Sequence, residues 1–354
     1  MNYNLELQKL ELKLETITAV EDRINILKQA IQLADSNQDV EWGFDFRLRL
    51  ISEEVCTSHC VESFSAFSWI LDAYDKNPDI FDESEFLWEY KWMAKASYCN
   101  ANISKEQIEN IIEDLKSRML KNGYSLRGYY SIVIAWKQFL GLHEEVDKYI
   151  QLREKEQRDD MSHCPACELD TKVGEELRKG NIEEALMMAN DLINKKLTCA
   201  HMPFATFCNF AYYLNIKKDE RASLFFEKAM EELNKMDETD SSILISISLL
   251  IHYLIDNDEK RAFSFYEKYS TWELDADDYL KFIFSKNILP LFRKGTKKDL
   301  QINVQHPLFL ESGEYELSEL YNYYYKQAKL LSEKFDTRNQ NSHFSELLES
   351  AIIK

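Results

Sequence analysis

Three segments in the second half of the chain carry one signature, a short polar turn leading into a helix with a small residue at a fixed place. They are "GNIEEALMMA", "KKDERASLFFEKA" and "DNDEKRAFSFYEKY", whose alanines fall at Ala185, Ala222 and Ala262. Separations of 37 and 40 residues fit one pair of helices with its turns. A small residue at that place lets the second helix of a pair pack closely on the first. Such pairs must then stack, because no single one buries its own apolar face.

The rest of the chain keeps that cadence. Only 8 Gly and 5 Pro punctuate 354 residues, too few for the many short turns of an all-β fold. Abundant Leu, Ile, Glu and Lys favour long helices with short connections. A leucine-rich helix opens the chain. Apolar spacing then predicts helices over 20–33, 41–54, 62–74, 84–97, 125–140 and 144–158, and Pro78 stops the fourth of this opening set. Ser104 and Gln107 read as a capping box, and Gly123 as the C-cap of the same helix. Further helices are expected over 169–179, 182–194, 203–215, 219–235, 241–255, 258–269 and 277–293. An irregular stretch, "KGTKKDLQINVQHPLFLESG", precedes a long helix over 314–335 and a short last one in "HFSELLESAII". The expected fold class is all-α, a single α-solenoid over 1–354 with about seven helical hairpins and a C-terminal helical cap. Its parts would be hairpins over 1–160, a cysteine-bearing junction over 161–210, further hairpins over 211–294, and the loop with its capping helices over 295–354.

Charge narrows the partners. With 62 acidic against 43 basic residues the formal charge is −19, a surface that repels phosphate, so neither nucleic acid nor an anionic membrane is expected as the main partner. The most apolar run, Ile243 to Ile255, is short of a bilayer span and carries Ser246, Ser248 and His252, so it reads as a buried helix. The opening "MNYNLELQKLELKLE" shows neither a basic n-region nor a cleavage site. Seven cysteines, an odd number, fit a reducing compartment, and the expected location is cytoplasmic.

Those cysteines carry the sharpest chemical signal. Cys164-x-x-Cys167 in "SHCPACELD" is the spacing by which two thiolates of one tight turn reach one tetrahedral ion. Cys199 in "KLTCAHMPF" follows Cys164 by 35 residues, about one hairpin, so both connections fall at the same end of neighbouring hairpins. Three thiolates and His201 would close a structural zinc site, with His163 and Asp160 as rival fourth ligands. Two other readings stand beside it: plain buried thiols, and a redox dithiol of Cys164 and Cys167. The cluster Cys56, His59 and Cys60 lacks a partner cluster and reads as half-buried thiols, and Cys99 and Cys208 read as core.

Other constellations are weaker. The aromatic runs "EFLWEYKWM" (85–93) and "LYNYYYKQ" (320–327) read first as filling between hairpins and second as a peptide groove. The pairs Asp159-Asp160 and Asp277-Asp278 read as helix caps and loops rather than acid/base dyads. "RKGTKK" follows no strand, so it is no phosphate loop, and no GxSxG, HExxH or linked Ser/His/Asp pattern is present.

The segments "SFSAFSWILDAYDKNPDIF", "SLRGYY", "HCPACELD", "LTCAHMP" and "KFDTRNQNSHFSELL" together resemble an uncharacterised family of bacterial tetratricopeptide-like repeat proteins, over most of the chain from about residue 40. The separations of 37 and 40 residues lie near the roughly 34-residue period of such repeats. It implies right-handed stacking and a shared pattern of paired cysteines with a third before a hairpin; it implies no activity. His163 and His201 stand here where acidic residues are commoner in that family, which leaves the fourth ligand open. The functional expectation is a non-catalytic scaffold for a protein or peptide partner. A helical-repeat peptide-sensing regulator is the alternative, weakened because the first forty residues lack a basic recognition helix. A redox protein using the CxxC pair is the third.

Overall fold

The 3.6-residue apolar spacing produces eighteen α-helices among the described residues. The computed structural model describes residues 2–293 and 295–353; Met1, Lys294 (the first residue of the expected irregular stretch) and Lys354 lie outside the described residues. The first half holds α1 (Tyr3–Leu14), α2 (Val20–Ser36), α3 (Val40–Glu54), α4 (Val61–Lys76), α5 (Leu87–Cys99), α6 (Lys105–Lys121), α7 (Arg127–Phe139) and α8 (His143–Lys155). The second holds α9 (Pro165–Lys179), α10 (Ile182–Met188), α11 (Asn190–Ile193), α12 (Phe204–Ile216), α13 (Arg221–Leu233), α14 (Leu244–Asn257) and α15 (Glu259–Tyr269). It ends with α16 (Asp278–Ile288), α17 (Leu317–Asn339) and α18 (His343–Ile353).

Local chemistry sets the boundaries. Ser104 accepts the Gln107 N–H at 3.2 Å while the Gln107 side chain accepts the Ser104 N–H at 3.0 Å, so the expected capping box is formed. Gly123 stands just past α6 at φ +77°, the left-handed position that favours glycine. Between Leu300 and Gly313 the chain is irregular, flanked by two three-residue strands, β1 (Lys297–Asp299) and β2 (Glu314–Glu316), which pair antiparallel. That pairing takes up 314–316, so the helix expected from 314 starts at Leu317 instead. The single helix expected over 182–194 is two, with Ala189 at ψ 0° loosening the turn between α10 and α11.

Consecutive helices pack side by side, α2 on α3, α7 on α8, α9 on α10, α12 on α13, α14 on α15. Alternate ones also meet, α3 with α5, α5 with α7, α12 with α14 and α14 with α16, and α9 meets α12 across the α10–α11 pair. Ala185, Ala222 and Ala262 are all buried, as a small residue at a close helix crossing should be. None of the helices is long and apolar enough to cross a membrane, among the described residues.

Late elements return to early ones. In the α3–α4 connection the Ser58 hydroxyl donates to the Trp272 carbonyl and the Ser58 N–H to Ser241 Oγ, both at 2.8 Å. The Ala101 N–H donates to Asp278 Oδ2 at 2.9 Å, and Arg338 of α17 donates to the carbonyls of Tyr98 and Asn100. Phe139, at the end of α7, has the rings of Tyr279, Phe335 and Phe344 at 5.0, 5.3 and 4.9 Å, so α16, α17 and α18 all close on it.

Asp277 sits in this seam. Its Oδ1 caps α16 by accepting the Leu280 N–H at 2.7 Å, as the cap reading expected. Burial pushes its pKa from 3.8 up to about 7, against the Leu280 N–H and the Lys95 charge, with Asp278 adding to the rise. The folded state therefore holds a proton that the unfolded chain releases, so this group favours folding at low pH and loses that contribution as pH rises toward 7. Asp277→Asn keeps an acceptor for the cap and removes the charge. It is expected to melt about 2–4 °C above wild type at pH 8 and less far above it at pH 5, the two becoming level only near pH 3.8 and below. Equal differences at both pH values, read by calorimetry, would contradict the assignment.

Candidate metal centre

Cys164 and Cys167 belong to a helix start. Pro165 occupies the first turn of α9, where its missing N–H costs nothing, and the Cys164 sulfur is the cap, accepting the Cys167 N–H at 3.4 Å. α9 thus begins four residues before the expected 169, and the CxxC is its first turn.

That helix start is anchored from three sides. Glu168 is buried; its carboxylate takes the Arg127 Nη2 at 2.6 Å and the Arg158 Nη1 at 2.7 Å. Asp159 accepts the Ser125 N–H at 2.6 Å. The buried Lys91 ammonium donates to the Met161 carbonyl at 2.5 Å and lies 3.7 Å from the centroid of the Trp88 ring. Burial pulls the Lys91 pKa down to about 7, with Asp159 and Glu168 opposing. The same Met161 carbonyl presses on Gly128 so closely that a Cβ there would collide with it. Gly128→Ala is therefore expected to push the Cys164 connection out of place, costing about 1–3 kcal/mol by urea unfolding. A loss no larger than that of Gly174→Ala, a helical position where an added Cβ would meet nothing nearer than 3.6 Å, would refute the tight-contact argument.

The second connection is a tight turn. The Cys199 N–H donates to the Met202 carbonyl at 3.1 Å and the Met202 N–H returns to the Cys199 carbonyl at 3.3 Å. Thr206, in the first turn of α12, donates its hydroxyl to Asp170 Oδ1 of α9 at 2.6 Å. Burial lifts the Asp170 pKa to about 6.

The two connections bring Cys164, Cys167 and Cys199 together, their sulfurs all within 4.8 Å of one another and the Cys167–Cys199 pair at 3.5 Å. Sulfurs on one tetrahedral zinc at about 2.3 Å stand roughly 3.8 Å apart, so the spacing suits one such ion. All three are half-buried, and none is in a disulfide. The Cys199 pKa is held down to about 5, chiefly by its hydrogen bond with Cys167, with help from the backbone N–H groups of His201 and Met202 and against the cost of burial. Cys167 is pushed up by the same contact with Cys199, then by burial. N–H groups directed at sulfur stabilise thiolate, the form that binds metal.

The candidate fourth ligands fall differently. His201 is outside the group of three; its Nε2 is 2.9 Å from Asp240 Oδ2, and that hydrogen bond raises its pKa. A carboxylate on one ring nitrogen is how metal-binding histidines are commonly oriented, with the other nitrogen left for the ion. The His163 and Trp88 rings meet edge to face with centroids 6.5 Å apart, and burial, aided by the Lys91 charge, drops the His163 pKa to about 3. Asp160 is exposed and also outside the group. Asp240 went unseen in the sequence reading. Its signal was a cap residue before Ser241, 39 positions beyond His201, one hairpin further on.

The other cysteines lie where expected: Cys99 and Cys208 are buried, Cys56 and Cys60 half-buried. The "CTSHC" break is organised by Glu54, buried at the end of α3. Its carboxylate accepts the N–H groups of Val61, Glu62 and Ser63 and pairs with His59 Nδ1 at 3.0 Å. Burial would raise the Glu54 pKa, but these hydrogen bonds hold it below its ordinary value. Burial pushes Cys60 up to about 12, an unreactive thiol.

Compared with family models, curated proteins and solved structures, the chain matches none.

Proposed function

We propose that the protein is a non-catalytic scaffold for a protein or peptide partner, built as a right-handed α-solenoid of about seven tetratricopeptide-like hairpins and stapled by a structural zinc. The zinc ligands in this reading are Cys164, Cys167, Cys199 and His201, the last oriented by Asp240. The observation that carries the reading is the convergence of three thiols from two connections one hairpin apart. A site with four protein ligands leaves no position for water, so its work is to hold α9 and α12 in register.

Other charged groups do the same kind of work. Glu54 caps α4, Glu168 ties α9 to α7 through Arg127, and the buried Glu175 holds His143 Nδ1 at 2.8 Å and Arg178. These carboxylates join helices, which supports a binding rather than a catalytic role. Seven free thiols support a cytoplasmic location. Affinity capture from the native host, with metal measured on the same preparation, tests the proposal. One specific partner and about one zinc per chain are expected. Capture of no specific partner would end the scaffold reading, and absence of metal the staple.

A further inference from the structure

We infer that the open groove between α16 and α17 docks an acidic, leucine-bearing helical segment of a partner protein; this rests on the scaffold reading and names its binding surface. The face of α7 at Phe139 is already covered by α16, α17 and α18, so an occupant must use another surface. The groove encloses about 660 Å³. Its floor is apolar: Leu331 is buried, Tyr323 half-buried, and Leu330 is 55 % exposed despite its size.

Its walls are cationic. Lys281 of α16 and Lys326 and Lys334 of α17 all line it, and no hydrogen bond or ion pair engages the ammonium group of any of the three among the described residues. Two acids are also present. Asp278 is engaged by the Ala101 N–H, and Glu319 stands a full two turns from Lys326 along α17. Tyr323, Lys326, Leu330 and Lys334 follow one another at three- and four-residue steps, so they form one stripe along a helix face. From Glu319 to Lys334 that stripe is about 22 Å long, enough for roughly four turns of a partner helix. A helix alternating glutamate and leucine at the same steps would place leucines on Leu330 and Tyr323 and carboxylates on the lysines. On a chain of net charge −19, distant repulsion is screened beyond about 8 Å at physiological salt, so the local lysines decide the contact.

The test uses the full chain and a fluorescein-labelled helical peptide of glutamate and leucine, with lysine-leucine and glutamate-serine peptides for comparison. Fluorescence anisotropy is expected to show binding of the first alone, weakening as salt rises. The triple variant Lys281→Glu, Lys326→Glu, Lys334→Glu is expected to weaken it at least about tenfold, and Leu330→Ala about fivefold, with unfolding midpoints unchanged because these side chains are partly or fully exposed. Binding unaffected by the triple variant, equal binding of the lysine-leucine peptide, or no binding overturns the groove assignment. So does binding to vesicles of anionic lipid that the triple variant loses, or a dimer, seen by sedimentation, that the triple variant abolishes. A partner captured equally well by wild type and triple variant would overturn the groove while leaving the scaffold reading intact.

Discussion

Chelation of zinc is expected to lower the thermal midpoint by about 10 °C, and Cys199→Ser to reproduce that loss with no chelator present. A closed zinc site is worth about 10–16 kcal/mol where it organises a whole small domain. Here α9 and α12 already pack on each other, and Thr206 bonds to Asp170, so only part of that remains for the ion to add. Roughly 5 kcal/mol at about 2 °C per kcal/mol gives the figure. Cys199 is the informative position because it alone among the three comes from the second connection. Without it, Cys164 and Cys167 still share one helix turn but no longer join two hairpins. Asp240→Asn keeps a hydrogen-bond partner for His201 and removes the charge behind it; it is expected to weaken zinc about tenfold while the metal-free midpoint stays unchanged. Replacing Cys164 and Cys167 together by Ser separates the staple from a redox dithiol: the staple loses stability, whereas a dithiol loses only its chemistry. Metal analysis finding no zinc, with all three thiols freely titratable, would sink the staple.

The parts legible in the sequence are those set by neighbours along the chain. The capping box at Ser104, the glycine past α6 and the small residues Ala185, Ala222 and Ala262 all depend on spacings of a few residues, and each lies where spacing put it. So does the meeting of Cys164, Cys167 and Cys199, because a repeated hairpin turns a 35-residue separation into adjacency. What sequence did not reveal depends on partners far away. The start of α9 at Pro165 needed the Cys164 sulfur to act as a cap, a role for which oxygen side chains are the usual signal. The place of Asp240 behind His201, and of Glu54 beneath the "CTSHC" break, follows from how connections fold back over helix ends. The return of α16, α17 and α18 onto α7 has no local mark, since phenylalanines at helical spacing look the same whichever helix they will meet.

That return supplies the second large effect. Phe139→Ala is expected to cost about 3–5 kcal/mol and to lower the thermal midpoint by roughly 8 °C. The ring is 5 % exposed and has five aromatic neighbours: Tyr98 of α5 at 5.2 Å, Trp136 of its own helix at 5.7 Å, and Tyr279, Phe335 and Phe344. Its loss leaves a cavity walled by five different helices. Relaxation at one wall would open a gap at another, so collapse is poor and the cost should lie at the upper end. The nearby backbone cannot shift to help. Gly141 sits at φ +74° with the His343 ring against it, too close for a Cβ, and the Leu140 carbonyl accepts the Asn341 side chain at 3.0 Å. Because α18 meets α7 through Phe344, whose ring loses its Phe139 neighbour, it should detach first. Amide exchange in 343–353 is then expected to rise in Phe139→Ala well before that in α12–α14. Leu224→Ala serves as the control: that side chain is 54 % exposed on α13, and its loss should stay within about 0.5 kcal/mol. A Phe139→Ala protein as stable as Leu224→Ala, with exchange in α18 unchanged, would mean that the late helices hold themselves in place and that Phe139 does not bind the two parts of the chain together.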